Sequence, residues 1–268
     1  MDPTEEIDPS PERAAPARRR VRGGRVPDGV REVPLRDGSR MWVRPIQPDD
    51  RERIVEGLAQ LSARSRYLRF HSQVDHLTQS QLDYLVDVDH VDHEALVALD
   101  PDAEGTPGVA IARYIRLRDD PDVAEAAITV LDEYQGRGIG TSLVGLLEQE
   151  ARERGIGTFR NYVLAENQPM LEIFRQLGGH LEVEGPGLYR VDLPIPDVDE
   201  VRPDTPAGRL VASLGRSGEE RHDTWLYPIM WAARKVIGAD AGPAPDVEGI
   251  GPARLLKALK REPGERGR

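Results

Sequence analysis

Between residues 31 and 196 the spacing of apolar positions changes repeatedly, and each change marks an element. Arg31-Glu32-Val33-Pro34-Leu35 and Ser39-Arg40-Met41-Trp42-Val43-Arg44 alternate as two strands around the turn Arg36-Asp37-Gly38. Pro48-Asp49-Asp50 opens a helix from Arg51 to about Leu61, and residues 62–70 predict a short helix running into a loop. Thr78 is an N-cap for a helix over 79–85. Residues 95–100 and 108–115 read as antiparallel strands joined by the turn Asp102-Ala103-Glu104-Gly105, and residues 124–130 as a further strand. An amphipathic helix covers 142–151, and residues 158–164 form the next strand. Asn167-Gln168-Pro169-Met170 starts another helix, with Pro169 near a tolerated first-turn position, and Leu177-Gly178-Gly179 stops it. Residues 181–183 and 188–193 finish the sheet, and Pro194 and Pro196 close the domain.

The ends differ in character. Residues 1–30 are rich in Pro, Arg, Glu and Gly, and lack the apolar content to offset their ordering entropy. Their basic cluster (Arg18, Arg19, Arg20, Arg22 and Arg25) reads as part of a solvated, disordered tail. Residues 197–268 form a Pro/Gly-rich extension with a candidate helix near 222–238. Its Trp225, Ile229, Ala232, Ala233 and Val236 share one face, which reads as a helix docked on the core.

Candidate chemistry concentrates at Tyr134-Gln135-Gly136-Arg137-Gly138-Ile139-Gly140-Thr141, where a strand hands over to a helix. Such a turn exposes backbone N–H groups at a helix N-terminus, and with the helix dipole these suit a phosphate or pyrophosphate. A Walker loop would need a lysine after Gly140, where Thr141-Ser142 stands. A dinucleotide fingerprint would need a third glycine where Thr141 stands. The pattern Gln-x-x-Gly-x-Gly fits, as Gln135, Gly138 and Gly140.

Composition narrows the setting. The formal net charge of -11 disfavours non-specific nucleic-acid binding. The absence of cysteine excludes disulfides and thiolate metal sites. No apolar run is long enough to span a bilayer, and the N-terminus has no apolar signal-peptide core, so no membrane association and a cytoplasmic location are expected.

The loop pattern resembles the coenzyme A pyrophosphate loop of the GNAT acetyltransferase superfamily, and the order of elements over 31–196 is similar to that of one GNAT domain. The resemblance implies an α/β (α+β) fold with a mixed, mostly antiparallel sheet flanked by helices. Ser65-Arg66-Tyr67-Leu68-Arg69-Phe70, Val88-Asp89-His90, Ala95-Leu96-Val97-Ala98-Leu99 and the glycine loop resemble one branch, the bacterial Pat-type protein lysine acetyltransferases. Some of those carry a fused cyclic-nucleotide domain, for which no room is expected here. The resemblance implies acetyl-CoA as cosubstrate and no metal. Ile128 and Val130 match the strand whose backbone pairs with the pantetheine arm. Gln135, Gly136, Arg137, Gly138, Ile139, Gly140 and Thr141 match the pyrophosphate loop. Asn167 matches the asparagine that begins the later helix and reaches the coenzyme. Many GNAT enzymes place a tyrosine seven residues after that asparagine, as general acid; Phe174 stands there.

Amine acetylation needs a neutral amine, whereas lysine is mostly protonated at neutral pH. A buried carboxylate with a raised pKa can take the proton. Ala124, Ala126, Ile128 and Val130 share the core face of their strand, and Glu125 lies on the other with the small Ala127 and Thr129. Glu125 is the candidate general base, and its position matches a catalytic glutamate of Pat-type enzymes. His90 and His93, with Asp89, Asp92 and Glu94, have spacing compatible with metal ligation, but they read as a polar loop before a strand. His71 and His76 flank an acceptor-side loop; His180 and His222 read as incidental. The function expected is transfer of acetyl from acetyl-CoA to a protein lysine amine. The alternatives are a small-molecule amine acceptor or a non-catalytic acyl-CoA-binding module.

Overall fold

The computed structural model describes residues 26–72, 74–197 and 200–218. The basic cluster at 18–25 and the candidate helix near 222–238 lie outside the described residues. The strands are β1 (Arg31–Pro34), β2 (Arg40–Pro45), β3 (His93–Leu99), β4 (Gly108–Arg116), β5 (Val123–Val130), β6 (Thr158–Leu164), β7 (His180–Gly185) and β8 (Leu188–Pro194). The helices are α1 (Arg51–Gln60), α2 (Ala63–Phe70), α3 (Gln79–Val86), α4 (Ile139–Glu153), α5 (Gln168–Gln176) and α6 (Pro206–Gly218).

All eight strands form one sheet, in the order β1-β2-β3-β4-β5-β6-β8-β7. Every pairing is antiparallel except β5 with β6. The alternation along β5 sorts as the sequence predicts. Ala124 and Ala126 belong to the main core, and Ile128 and Val130 pack against it. That core also holds Leu143, Leu146 and Leu147 of α4 and Leu171 and Phe174 of α5. A smaller apolar cluster on the opposite face joins Trp42, Ile46, Val86, Ala95, Val97 and Leu99, with Val26 and Val30 packed against it. The chain is therefore already packed at Val26, ahead of the first strand.

Local signals explain the helix starts. Thr78 and Gln81 form a reciprocal capping box on α3. Ser62 caps α2 by accepting from Ser65 N–H. Asp132, just beyond β5, accepts from Ser62 N–H and from the hydroxyls of Ser62 and Ser65, which fixes α2 beside the glycine loop. Helix α4 begins at Ile139, three residues before the start that its apolar period suggests, because Gly138 (φ 89°) takes the left-handed conformation and caps it.

Helix α6 has no counterpart among the elements read from sequence. Its glycines lower intrinsic helix propensity, and packing supplies what propensity does not. Val211 of α6 sits where a Cβ on Gly145 of α4 would be, at 2.7 Å, so the two helices approach closely. Just before α6, Arg202 forms a buried ion pair with Glu148 of α4.

Candidate functional site

Gly136 (φ 76°) and Gly138 (φ 89°) bend the chain so that it turns from the short 3-10 segment Asp132–Tyr134 into α4. The N–H groups from Gly136 to Thr141 donate to no described residue; the first bond of the helix is Ser142 N–H to Gly138 C=O. A row of unused donors at the positive end of a fifteen-residue helix has the chemistry of an anion site built from backbone. The side chains of the loop work differently. Gln135 donates to Val130 C=O at 3.1 Å and so ties the loop to the end of β5. Arg137 donates to Asp37 at 2.7 Å and to Ser39 Oγ at 2.6 Å, and its guanidinium lies 5.2 Å from the centre of the Tyr134 ring.

Beside this loop the sheet opens. Strand β5 pairs with β4 from Ala124 to Val130, but with β6 only over Val123, Ala124 and Glu125. Beyond Glu125 the strands diverge, and the β6-facing edge of Ala126–Val130 pairs with no described strand. Unpaired backbone groups on an edge can take an extended ligand as an added strand. The free edge carries Ile128 and Val130 and leads to the glycine loop. These loop and strand residues are therefore brought together.

Glu125 stands at the apex of the wedge, on the face of the sheet covered by α1, α2 and α3. It is 5 % exposed, and its Oε1 has no hydrogen-bond partner. Burial pushes its carboxyl up to about 8, against an opposing pull from the Arg69 guanidinium. Arg69 donates no hydrogen bond to a described residue and lies 5.1 Å from the centre of the Phe70 ring. The β4–β5 register puts Arg113 two residues from the partner of Glu125, on the same face. Arg113 hydrogen-bonds His93 Nε2 at 3.1 Å and donates to Leu85 C=O at 3.1 Å. Burial lowers Arg69 to about 10 and Arg113 to about 9, so both stay cationic at neutral pH. They also line a cavity of about 100 Å³, with Gly57, Leu61 and Thr129 among the other walls. Arg69 joins the two features: it lines the cavity and acts on the Glu125 carboxyl.

Three comparisons with known proteins bear on this arrangement. A family model described as "Acetyltransferase (GNAT) family" matches residues 60–178. An acetyltransferase of Pseudomonas aeruginosa is 31% identical over 144 residues, which span 54% of this chain and 77% of that protein. The chain belongs to the GNAT acetyltransferase family. The acetyltransferase Pat of Mycolicibacterium smegmatis is 38% identical over 171 residues, 63% of this chain. The chain spans only half the length of that relative. The crystal structure of the GNAT domain of S. lividans PAT superposes with a TM-score of 0.57 at 33% identity, covering 62% of this chain and 96% of that one.

Against this GNAT background the remaining residues fall into place. Asn167 caps α5, its Oδ1 accepting from Met170 N–H at 3.4 Å. Phe174 is 2 % exposed and packed in the main core. A second aromatic does face the wedge. Arg160 is the β6 partner of Glu125, and Tyr162, two residues on, shares that face across the gap. Burial raises the Tyr162 phenol, with Glu184 and Glu125 adding to it, so it is protonated at neutral pH.

His90 before β3 and His93 at its start have different partners. His93 packs 5.1 Å from the Tyr84 ring and beside Arg113, and burial lowers it to about 3, so it is neutral. His90 instead pairs with Glu94 at 2.9 Å. Among the described residues no group of His, Asp and Glu has the arrangement of a metal site. His71 ends α2 in a left-handed conformation, and His76 is exposed in the following loop. His180 opens β7, and His222 lies outside the described residues.

Sequence reasoning missed Arg113, Tyr84 and Tyr162 as neighbours of Glu125. A signal existed for Arg113: it is a cation in the middle of a strand whose other charge, Arg116, stands at its end.

Proposed function

We propose that this protein transfers the acetyl group of acetyl-CoA to a lysine side-chain amine of a protein, with Glu125 as general base. The observation that carries the reading is a buried, unpartnered carboxylate at the apex of a strand wedge whose other end is a row of free backbone donors. The residues fit the coenzyme. The N–H groups of Gly136–Thr141 would hold the diphosphate, and the free edge of Ala126–Val130 would take the amide-bearing pantetheine arm. Asn167 lies at the start of α5, after the β6 side of the wedge. Bound there, acetyl-CoA supplies an activated acyl group on a thioester; no metal takes part.

Glu125 prepares the acceptor. With its carboxyl near 8 it is ionised in a useful fraction at slightly alkaline pH and basic enough to draw a proton from an alkylammonium, directly or through water. The neutral amine then attacks the acyl carbon, the C–S bond breaks as the tetrahedral adduct collapses, and the second proton shed by the nitrogen makes good the one that the departing sulfur takes up. Arg69 keeps the carboxylate from rising further. Since Phe174 has no proton to give, Tyr162 returns one to the departing sulfur. The Pat similarity supports a protein acceptor, and the lack of cysteine fits work in the cytoplasm.

Incubation of the purified protein with isotope-labelled acetyl-CoA and a bacterial lysate tests the reading. Mass spectrometry should find label on protein lysines, and Glu125→Gln should abolish it. Labelling of small amines alone would replace the protein acceptor with a metabolite. Coenzyme binding with no labelled product would leave an acyl-CoA-binding module.

A further inference from the structure

The loop's own cation is already committed. Arg137 is held by Asp37 and Ser39 of the β1–β2 turn and stacked on Tyr134. Asp37 accepts from Ser39 and from Arg137, which together keep its carboxyl well below the usual range despite some burial. These contacts seat the β1–β2 turn against the glycine loop. The residue before Asp37 is Arg36, and its side chain lies along Gly138. A Cβ on Gly138 would meet Arg36 Nε at 3.4 Å and its Cδ and Cγ at 3.5 Å. Among described residues the Arg36 guanidinium makes one long, exposed hydrogen bond, to Pro206 C=O at 3.5 Å. An exposed cation thus lies along Gly138, next to a row of unused backbone donors.

We propose that Arg36 is a coenzyme-binding residue that pairs with the diphosphate bound on the Gly136–Thr141 backbone. This rests on the coenzyme reading of that loop. A planar guanidinium presents parallel N–H donors that match two phosphate oxygens. The division of labour is then specific. Arg137 fixes the turn, and the turn presents Arg36 alongside Gly138. The first hairpin of the sheet, remote in sequence from the loop, contributes to coenzyme affinity.

Isothermal titration calorimetry with CoA and with 3′-dephospho-CoA, on the full chain, tests this. Arg36→Gln should weaken both by roughly ten-fold, the usual worth of a charge-assisted hydrogen bond. Its affinity should depend less steeply on salt than that of the wild type, because a screened charge pair is gone. Arg36→Lys should recover part of the loss. Arg36 is exposed, so its variants should keep the wild-type melting temperature. Equal affinity of Arg36→Gln and wild type for CoA would overturn the assignment while leaving the loop reading intact. A loss seen with CoA but not with 3′-dephospho-CoA would also overturn it, since Arg36 would then hold the ribose phosphate. A folded wild type that binds neither ligand would remove the loop reading itself.

Discussion

On the proposed reading, the two ends of the wedge would achieve their chemistry by opposite means. At the glycine loop the working groups are backbone N–H donors, and the side chains of Gln135 and Arg137 serve to hold the loop in shape. At Glu125 the proposed working group is one carboxylate, and its surroundings come from β4, β6 and α2, distant parts of the chain. A local turn can build the first kind of site by itself. The second needs the sheet and its covering helices, because burial is what raises this carboxyl. The loop should therefore fail through changes of backbone and space, and the apex through changes of charge.

The largest effect should come at the apex. Glu125→Gln keeps shape and removes proton acceptance, and turnover should fall by about 10²–10⁴-fold with little change in affinity for acetyl-CoA. The wild-type rate should climb with pH through about 8, where Glu125 ionises, and the variant should lack that limb. Near-normal turnover in the variant at neutral pH would break the assignment. Parallel loss of coenzyme binding would make Glu125 a structural residue. Stability should move the other way. The folded pKa lies above that of an unfolded glutamate, so the folded protein holds the proton more tightly. The wild type should lose about 1 kcal/mol per pH unit from the ordinary carboxyl range up to about 8, and no more above it. Denaturant titrations across that range should show Glu125→Gln gaining on the wild type.

At the loop, Gly138→Glu should weaken CoA binding by at least roughly 100-fold, because it sets a carboxylate among the donors and beside Arg36. Its positive φ also strains any side chain there, so far-UV circular dichroism should stay native while the melting temperature drops modestly. Unchanged calorimetric affinity in the folded variant would contradict the anion-site reading.

A smaller effect separates the two aromatics. Tyr162→Phe should lower turnover by about ten-fold, since water can replace a proton donor less well placed. Phe174→Tyr should not raise turnover, because that ring is packed in the core rather than facing the wedge. A faster Phe174→Tyr variant would show that the ring reaches the sulfur. The smallest effect concerns the N-terminus. A chain starting at Val26 should keep its melting temperature within about a degree or two, as the composition of residues 1–25 offers no core. Starting at Arg31 instead removes Val26 and Val30 from the smaller cluster and should lower it by several degrees, about 1–2 kcal/mol. Differential scanning calorimetry of the two chains checks this.

The alternation in residues 124–130, the N-cap Thr78, and the glycines at 136, 138 and 140 all speak through neighbours in sequence, and each survives in the structure. Helix α6 was illegible because Gly208 and Gly215 argue against a helix, while its stabilising partners, Gly145 and Glu148, belong to α4. The same reason hid Arg113 and Tyr162. Their strand faces follow from alternation, but which strands lie beside β5 does not.

The sequence by itself determined the elements from β1 to β8, the face on which Glu125 sits and the donor-rich turn into α4, because each depends on residues within a few positions of one another. Only the tertiary structure decided that β5 and β6 part company after Glu125, that Arg69 acts on that carboxyl with Arg113 on the same sheet face, and that Arg36 reaches the loop from the first hairpin. Those facts depend on strand order and register between segments tens of residues apart. Such contacts are set by the packing of whole faces, and no local period encodes them.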